Sequence, residues 1–147
     1  MRSYHYMTYR ADDDIQLHTA KEICEQILYS HSKIRSTSIC ADNGVIIHSE
    51  QKNSGESLLS REEGHASLIQ ATARFFNRKI HDGGFGQTMF SLTMHEKITR
   101  VAIPLTSKHV ILMSIENDVN HTDLIMNEIY PALIEKRFND VVSLKQN

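Results

Sequence analysis

The chain predicts an α+β domain: a five-stranded antiparallel sheet with a central helix across one face and the first and last helices paired on the other. Three observations carry this. Asn43-Gly44 stands between two β-branched runs, a strong hairpin signal because both residues tolerate positive φ. A long amphipathic segment follows, and then three strand-like runs separated by turns short enough for hairpins. The last of these runs, residues 109–116, is apolar on successive residues from Val110 to Met113. That is the pattern of a strand buried on both faces, so helices must cover both sides of the sheet.

The 147 residues fit a single domain by the usual prior of ~100–200 residues. Residues 1–12 read as a mobile arm, 13–138 as the domain and 139–147 as a C-terminal tail. A formal charge of −2 without a basic stripe argues against nucleic-acid binding. No apolar run approaches the ~20 residues that cross a bilayer, which argues against membrane insertion. The N-terminus lacks the apolar core of a secretory signal, so the expected compartment is the cytoplasm.

In chain order, Asp13 or Asp14 can cap a first helix whose Leu17, Ala20, Ile23, Cys24, Ile27 and Leu28 share one arc. Both cysteines, Cys24 and Cys40, read as buried small hydrophobes, since they form no CxxC pair. Residues 33–41 and 45–50 form the hairpin strands, and a polar loop runs from 51 to 60. Ser60 and Glu63 have capping-box spacing and open the central helix, 61–80. Asp82 to Gly86 ends that helix in a glycine-rich turn. It has a helix before it and a strand after it, the reverse of a phosphate loop. Strands are expected at 87–93, 97–105 and 109–116. The final helix, roughly 122–138, meets a kink or restart at Pro131.

The central helix has more apolar circumference than one sheet can hide. Ala66, Ile69, Ala73, Phe76 and Ile80 form one stripe, and Gly64, Leu68, Ala71 and Phe75 a second beside it. Together they span about twice the ~100° arc that a surface helix needs. The expected interface with a second copy is Gly64, Leu68, Ala71 and Phe75, with Met89 on the following strand. Small residues at 64 and 71 would let two helices approach closely, while Leu68 and Phe75 supply burial.

This order, with the Asp42-Asn43-Gly44-Val45-Ile46-Ile47 hairpin and the amphipathic helix after it, resembles the roadblock/dynein-light-chain family over about residues 15 to 134. More closely, the chain looks like an uncharacterised family of small domains in ammonia-oxidising archaea. That likeness lies in Ile34-Arg35, Asn43-Gly44, Leu58-Leu59 and the run from Val101 to Glu116 with Pro104-Leu105 inside it. The roadblock resemblance implies dimers joined through the central helix and the strand after it, here residues 61–80 and 87–93. It implies a platform role, with a small GTPase among the partner classes. The long tails and the glycine-rich turn depart from the motor-subunit pattern, so no specific partner carries over.

Nothing in the sequence points to catalysis, a metal or another cofactor. No GxSxG and no HExxH occurs, and no two of the nine histidines stand at ligand spacing on one helix. Convergence of His48, His65 and His109 in the fold is left open. Arg35 and Arg100 interrupt strand patterns and read either as outward residues paired with carboxylates or as anion contacts. The leading expectation is a non-enzymatic homodimeric regulatory module. The rival is a small-molecule sensor of profilin- or PAS-like layout, with its ligand between sheet and helix near Arg35 or Arg100.

Overall fold

The computed structural model describes residues 15–52 and 58–134, in two compact units that divide between Asn117 and Asp118. The first unit contains α1 (Leu17–Ser30), β1 (Ile34–Ala41), β2 (Ile46–Gln51), α2 (Arg61–Arg78), a 3-10 turn (Lys79–His81) and α3 (Asp82–Phe85). It continues through β3 (Ser91–Met94), β4 (Thr99–Pro104) and β5 (His109–Ile115). The strands form one sheet in the order β2-β1-β5-β4-β3, and every neighbouring pair is antiparallel. The expected five-stranded antiparallel sheet is therefore present, with β5 at its centre.

Alternation along the strands divides the core between two faces. Thr37 and Ile39 of β1 pair with Met113 and Ile111 of β5, and this face lies under α1. The Thr37 hydroxyl donates to the carbonyl of Cys24 at 3.0 Å, tying strand to helix through a buried bond. Ala20, Ile23, Cys24, Ile27 and Leu28 are all buried, which is the arc expected of α1. Cys40 and Ser38 pair with Val110 and Leu112 on the opposite face, under α2. There Phe75 joins Cys40, Ala102, Val110 and Leu112 in one apolar cluster.

The hairpin forms as its turn residues dictate. Gly44 adopts φ +89°, and the Asn43 side chain accepts a hydrogen bond from the Val45 N–H at 3.1 Å. A register shift between Ile39 and Cys40 places a bulge in the β1–β2 ladder. At the other end, the Asn117 amide donates to the carbonyls of His95 and Glu96 (2.8 and 3.0 Å). Its Oδ1 accepts from the Thr99 hydroxyl at 2.6 Å, so one side chain clamps the β3–β4 turn.

Three boundaries differ from expectation. α1 is preceded by Gln16 at its N-cap position, with no side-chain cap, while Asp13 and Asp14 lie outside the described residues. The glycine-rich stretch extends the helical path instead of breaking it: Asp82–Phe85 forms a helical turn, and reversal waits for Gly86 at φ +86°. That delay shortens the next strand. The ladder expected over 87–93 is confined to Ser91–Met94.

In the second unit, α4 starts at His121–Leu124 behind Asn120, whose side chain accepts from the Asp123 N–H at 3.1 Å. A π turn follows at Ile125–Ile129, and helix continues to residue 134. The π turn is the form that the expected Pro131 disturbance takes. Proline offers no N–H to the carbonyl four residues back, and the wider turn instead bonds Tyr130 N–H to Ile125 O. Residues 135–138 of the expected helix, the N-terminal arm and the tail at 139–147 lie outside the described residues.

Candidate functional site

α2 is the element on which the expected interface was placed. Ser60 and Glu63 form the capping box that their spacing predicts: Ser60 Oγ accepts from the Glu63 N–H, and Glu63 Oε1 accepts from the Ser60 N–H, both at 3.1 Å. These bonds favour the charged carboxylate and hold Glu63 below the ordinary carboxylate range.

The structure reverses the expected roles of the two stripes. Phe75 is 1% exposed, and Leu68 and Ala71 pack half-buried against its cluster. The Gly64, Leu68, Ala71, Phe75 stripe therefore faces the chain's own sheet, and Phe75 is not available to a second copy. Ala71 packs against that cluster, whereas a Cβ on Gly64 would meet nothing within 4 Å, so close approach does not require a glycine there. The stripe left outside is the other one. Ala66 and Ala73 are exposed, Ile69 is 41% exposed and Ile80 is 79% exposed, while Phe76 of that stripe is half-buried against the same core cluster. A Cβ placed on Gly44 would stand 3.7 Å from Ile69 Cγ2, so the outward stripe leans toward the β1–β2 turn, next to the exposed Val45. Met89, at 37% exposure, precedes β3 and belongs to no strand.

Arg35 and Arg100 line the same cavity, about 530 Å³, between the sheet and the first turns of α2, together with Ser60, Gly64, Ser67 and Ser114. Arg35 stands 3.7 Å from Glu116, the carboxylate pairing of one expected reading, but on the face toward α2 and not outward. Arg100 has no carboxylate partner among the described residues. Its Nη1 donates to Ser67 Oγ on α2, and burial, with Arg74 nearby as a second cause, pushes its pKa below the ordinary guanidinium range.

A second groove, about 430 Å³, runs along the other flank of α2 over β3 and β4. Arg74, Arg78 and Arg100 line it with Ser91, Thr93 and His95, above apolar residues that include Ala71, Ala102 and Leu112. In the sequence Arg74 and Arg78 fall in the polar sector of the helix, away from both apolar stripes. No local signal could join them to Arg100, because the sheet register alone brings β4 under that flank.

The histidines do not converge. His48 bonds Glu50 at 2.9 Å, His109 bonds Thr106 at 2.8 Å, and His65 lies exposed on α2. No group of three metal-ligating side chains occurs among the described residues. Burial raises both thiols, Cys24 to about 12, so each stays protonated and a poor nucleophile. Among the described residues no helix is long and apolar enough to cross a membrane.

No protein-family model matches the chain, and no curated protein matches it. Solved structures do. A roadblock/LC7 domain from Streptomyces avermitilis aligns with a TM-score of 0.62 at 6% identity, over 82% of this chain and 96% of that one. MglB from Myxococcus xanthus aligns at 0.61 and 9% identity, over 90% of this chain and 92% of that one. An MglB in a tetrameric arrangement aligns at 0.62 and 10% identity, over 88% and 93%. At such identities the likeness speaks for architecture alone: the chain has the roadblock/LC7 fold.

Proposed function

We propose that this chain is a non-enzymatic, dimeric regulatory module of the cytoplasm whose outward α2 stripe receives a protein partner, a small GTPase being the class that the roadblock resemblance suggests. The observation that carries the reading is the exposure of Ile69 on one flank of α2, continuous with Ala66 and Ala73, and of Ile80 in the 3-10 turn that follows it. Each large aliphatic side chain contributes roughly 1.5–3 kcal/mol when a partner removes it fully from water. The open outer edge of β3 supports the dimer, since an edge strand offers unpaired backbone groups to a second copy. The tetrameric arrangement of one MglB of the same fold is consistent with assembly of this chain with further copies. The motifs shared with the archaeal family, Ile34-Arg35 and Leu58-Leu59 among them, suggest that family as the chain's own.

Sedimentation velocity and a small-GTPase binding assay test both parts. Wild type is expected to be a dimer at tens of micromolar, on the order of ordinary interface affinities. The Ile69→Asp, Ile80→Asp double variant is expected to remain folded and dimeric by circular dichroism and sedimentation, yet lose the GTPase. A monomeric wild type removes the dimer. Undiminished GTPase binding by the double variant removes the stripe as the contact surface.

A further inference from the structure

The groove between α2 and β3–β4 lies on the opposite flank from the apolar stripe and differs from it in character. Three arginines line it from two elements, Arg74 and Arg78 from α2 and Arg100 from β4, whose guanidinium also donates to Ser67 Oγ. None has a carboxylate partner among the described residues. The acidic residue best placed by sequence to pair with Arg78, four positions on, is Asp82, and its Oδ1 accepts the Thr88 hydroxyl at 2.6 Å instead. Arg100 is half-buried, and Arg74 is close enough to repel it. Like charges gathered in a concave, partly dry site cost free energy unless an anion joins them.

The groove also has the makings of a binding site. Its volume, about 430 Å³, is within the range of roughly 300–1,000 Å³ common for small-molecule pockets. Register sets Ser91 opposite Ala102 and Thr93 opposite Arg100, so both β3 hydroxyls share the face that carries the arginines. His95 adds a further nitrogen at the rim, while Ala71, Ala102 and Leu112 offer apolar surface. We propose that this groove binds a phosphate monoester, its dianionic phosphoryl group seated among Arg74, Arg78 and Arg100 and its organic part against the apolar residues. A single carboxylate would leave most of the positive charge uncompensated. A phosphoryl group brings two charges and three acceptor oxygens to forked donors that match them.

This site uses residues of one copy only and goes beyond the regulatory reading, so it can be measured whether or not the chain dimerises. Glycerol 3-phosphate and inorganic phosphate are titrated into the full chain at pH 8 and constant ionic strength, with amide NMR shifts as readout. Saturable shifts on β3, β4 and the second half of α2 are expected. Arg74→Gln and Arg100→Gln should each weaken binding at least ten-fold, while Arg61→Gln, outside the groove, leaves it unchanged. Should Arg100→Gln fail to fold, the exposed Arg74→Gln and Arg78→Gln variants decide. Shifts that follow ionic strength without saturating, or equal affinity in wild type and Arg74→Gln, overturn the assignment. Tighter binding of malate than of glycerol 3-phosphate overturns the preference for phosphate. Co-sedimentation with phosphatidylcholine vesicles carrying phosphatidic acid, lost in Arg74→Gln, assigns the monoester to a lipid headgroup. Glycerol 3-phosphate binding without vesicle binding assigns it to a soluble ester.

Discussion

Phe75→Ala is the sharpest test of how α2 sits. The side chain is 1% exposed and packs in the cluster of Cys40, Ala102, Val110 and Leu112, with Phe76 edge-on at 5.3 Å between ring centroids. Truncating a buried phenylalanine removes its transfer free energy and leaves a cavity, together about 3–5 kcal/mol. Domains of this kind have only ~5–15 kcal/mol in total, so roughly a fifth or more of the stability is at stake. Urea unfolding followed by far-UV circular dichroism suits a chain without tryptophan. The midpoint should fall by that amount divided by m, with m itself unchanged. Ile80→Ala, at a position 79% exposed, should stay within about 0.5 kcal/mol of wild type. If Phe75→Ala costs under 1 kcal/mol but dissociates a dimer, the two stripes have been assigned the wrong way round.

Three further perturbations follow from the backbone and its caps. Ser60→Ala removes half of the capping box and should cost ~0.5–2 kcal/mol by the same urea assay. The pH dependence has a definite sign: a Glu63 carboxyl held low in the folded state stabilises above the unfolded carboxylate range, and that support fades as pH falls through the lowered folded pKa. Glu63→Gln, which keeps an acceptor for the Ser60 N–H but cannot titrate, should therefore show a smaller loss on acidification than wild type, and an equal loss would refute the linkage. Gly86→Ala places a Cβ at φ +86°, ψ 174°, a region nearly confined to glycine, and should cost about 1–3 kcal/mol although nothing stands within 4 Å of that Cβ. An unchanged thermal midpoint would show that the turn relaxes.

Local chemistry was the legible part of the chain. Asn43-Gly44 specified the hairpin, Ser60 and Glu63 the start of α2, and the unbroken apolar run of β5 the centre of the sheet. Each of those signals acts between residues close in sequence. Periodicity also showed that α2 is apolar over two stripes, but a wheel has no reference direction and could not say which stripe meets the sheet. Glycine and alanine at 64 and 71 suit any close approach, whether to a helix or to a sheet. β3 was misplaced because Asp82–Phe85 keeps helical geometry despite its glycines, a decision made by the path out of α2. The arginine groove was beyond reach for a different reason: Arg74 and Arg100 are neighbours only through the ladder that carries β4 beneath the helix.

Both borders of the sheet are built in a way that bears on polymerisation. One ends in a strand of four residues, Ser91–Met94, pinned at its turn by Asn117, and the other in β2, whose ladder is kinked opposite Ile39 and Cys40. A brief border admits only a few inter-chain bonds, and a kinked one presents a poor template for a flat incoming strand. Extending the sheet from copy to copy needs both borders long and straight. Endless growth by edge-to-edge strand pairing is thereby disfavoured at both borders.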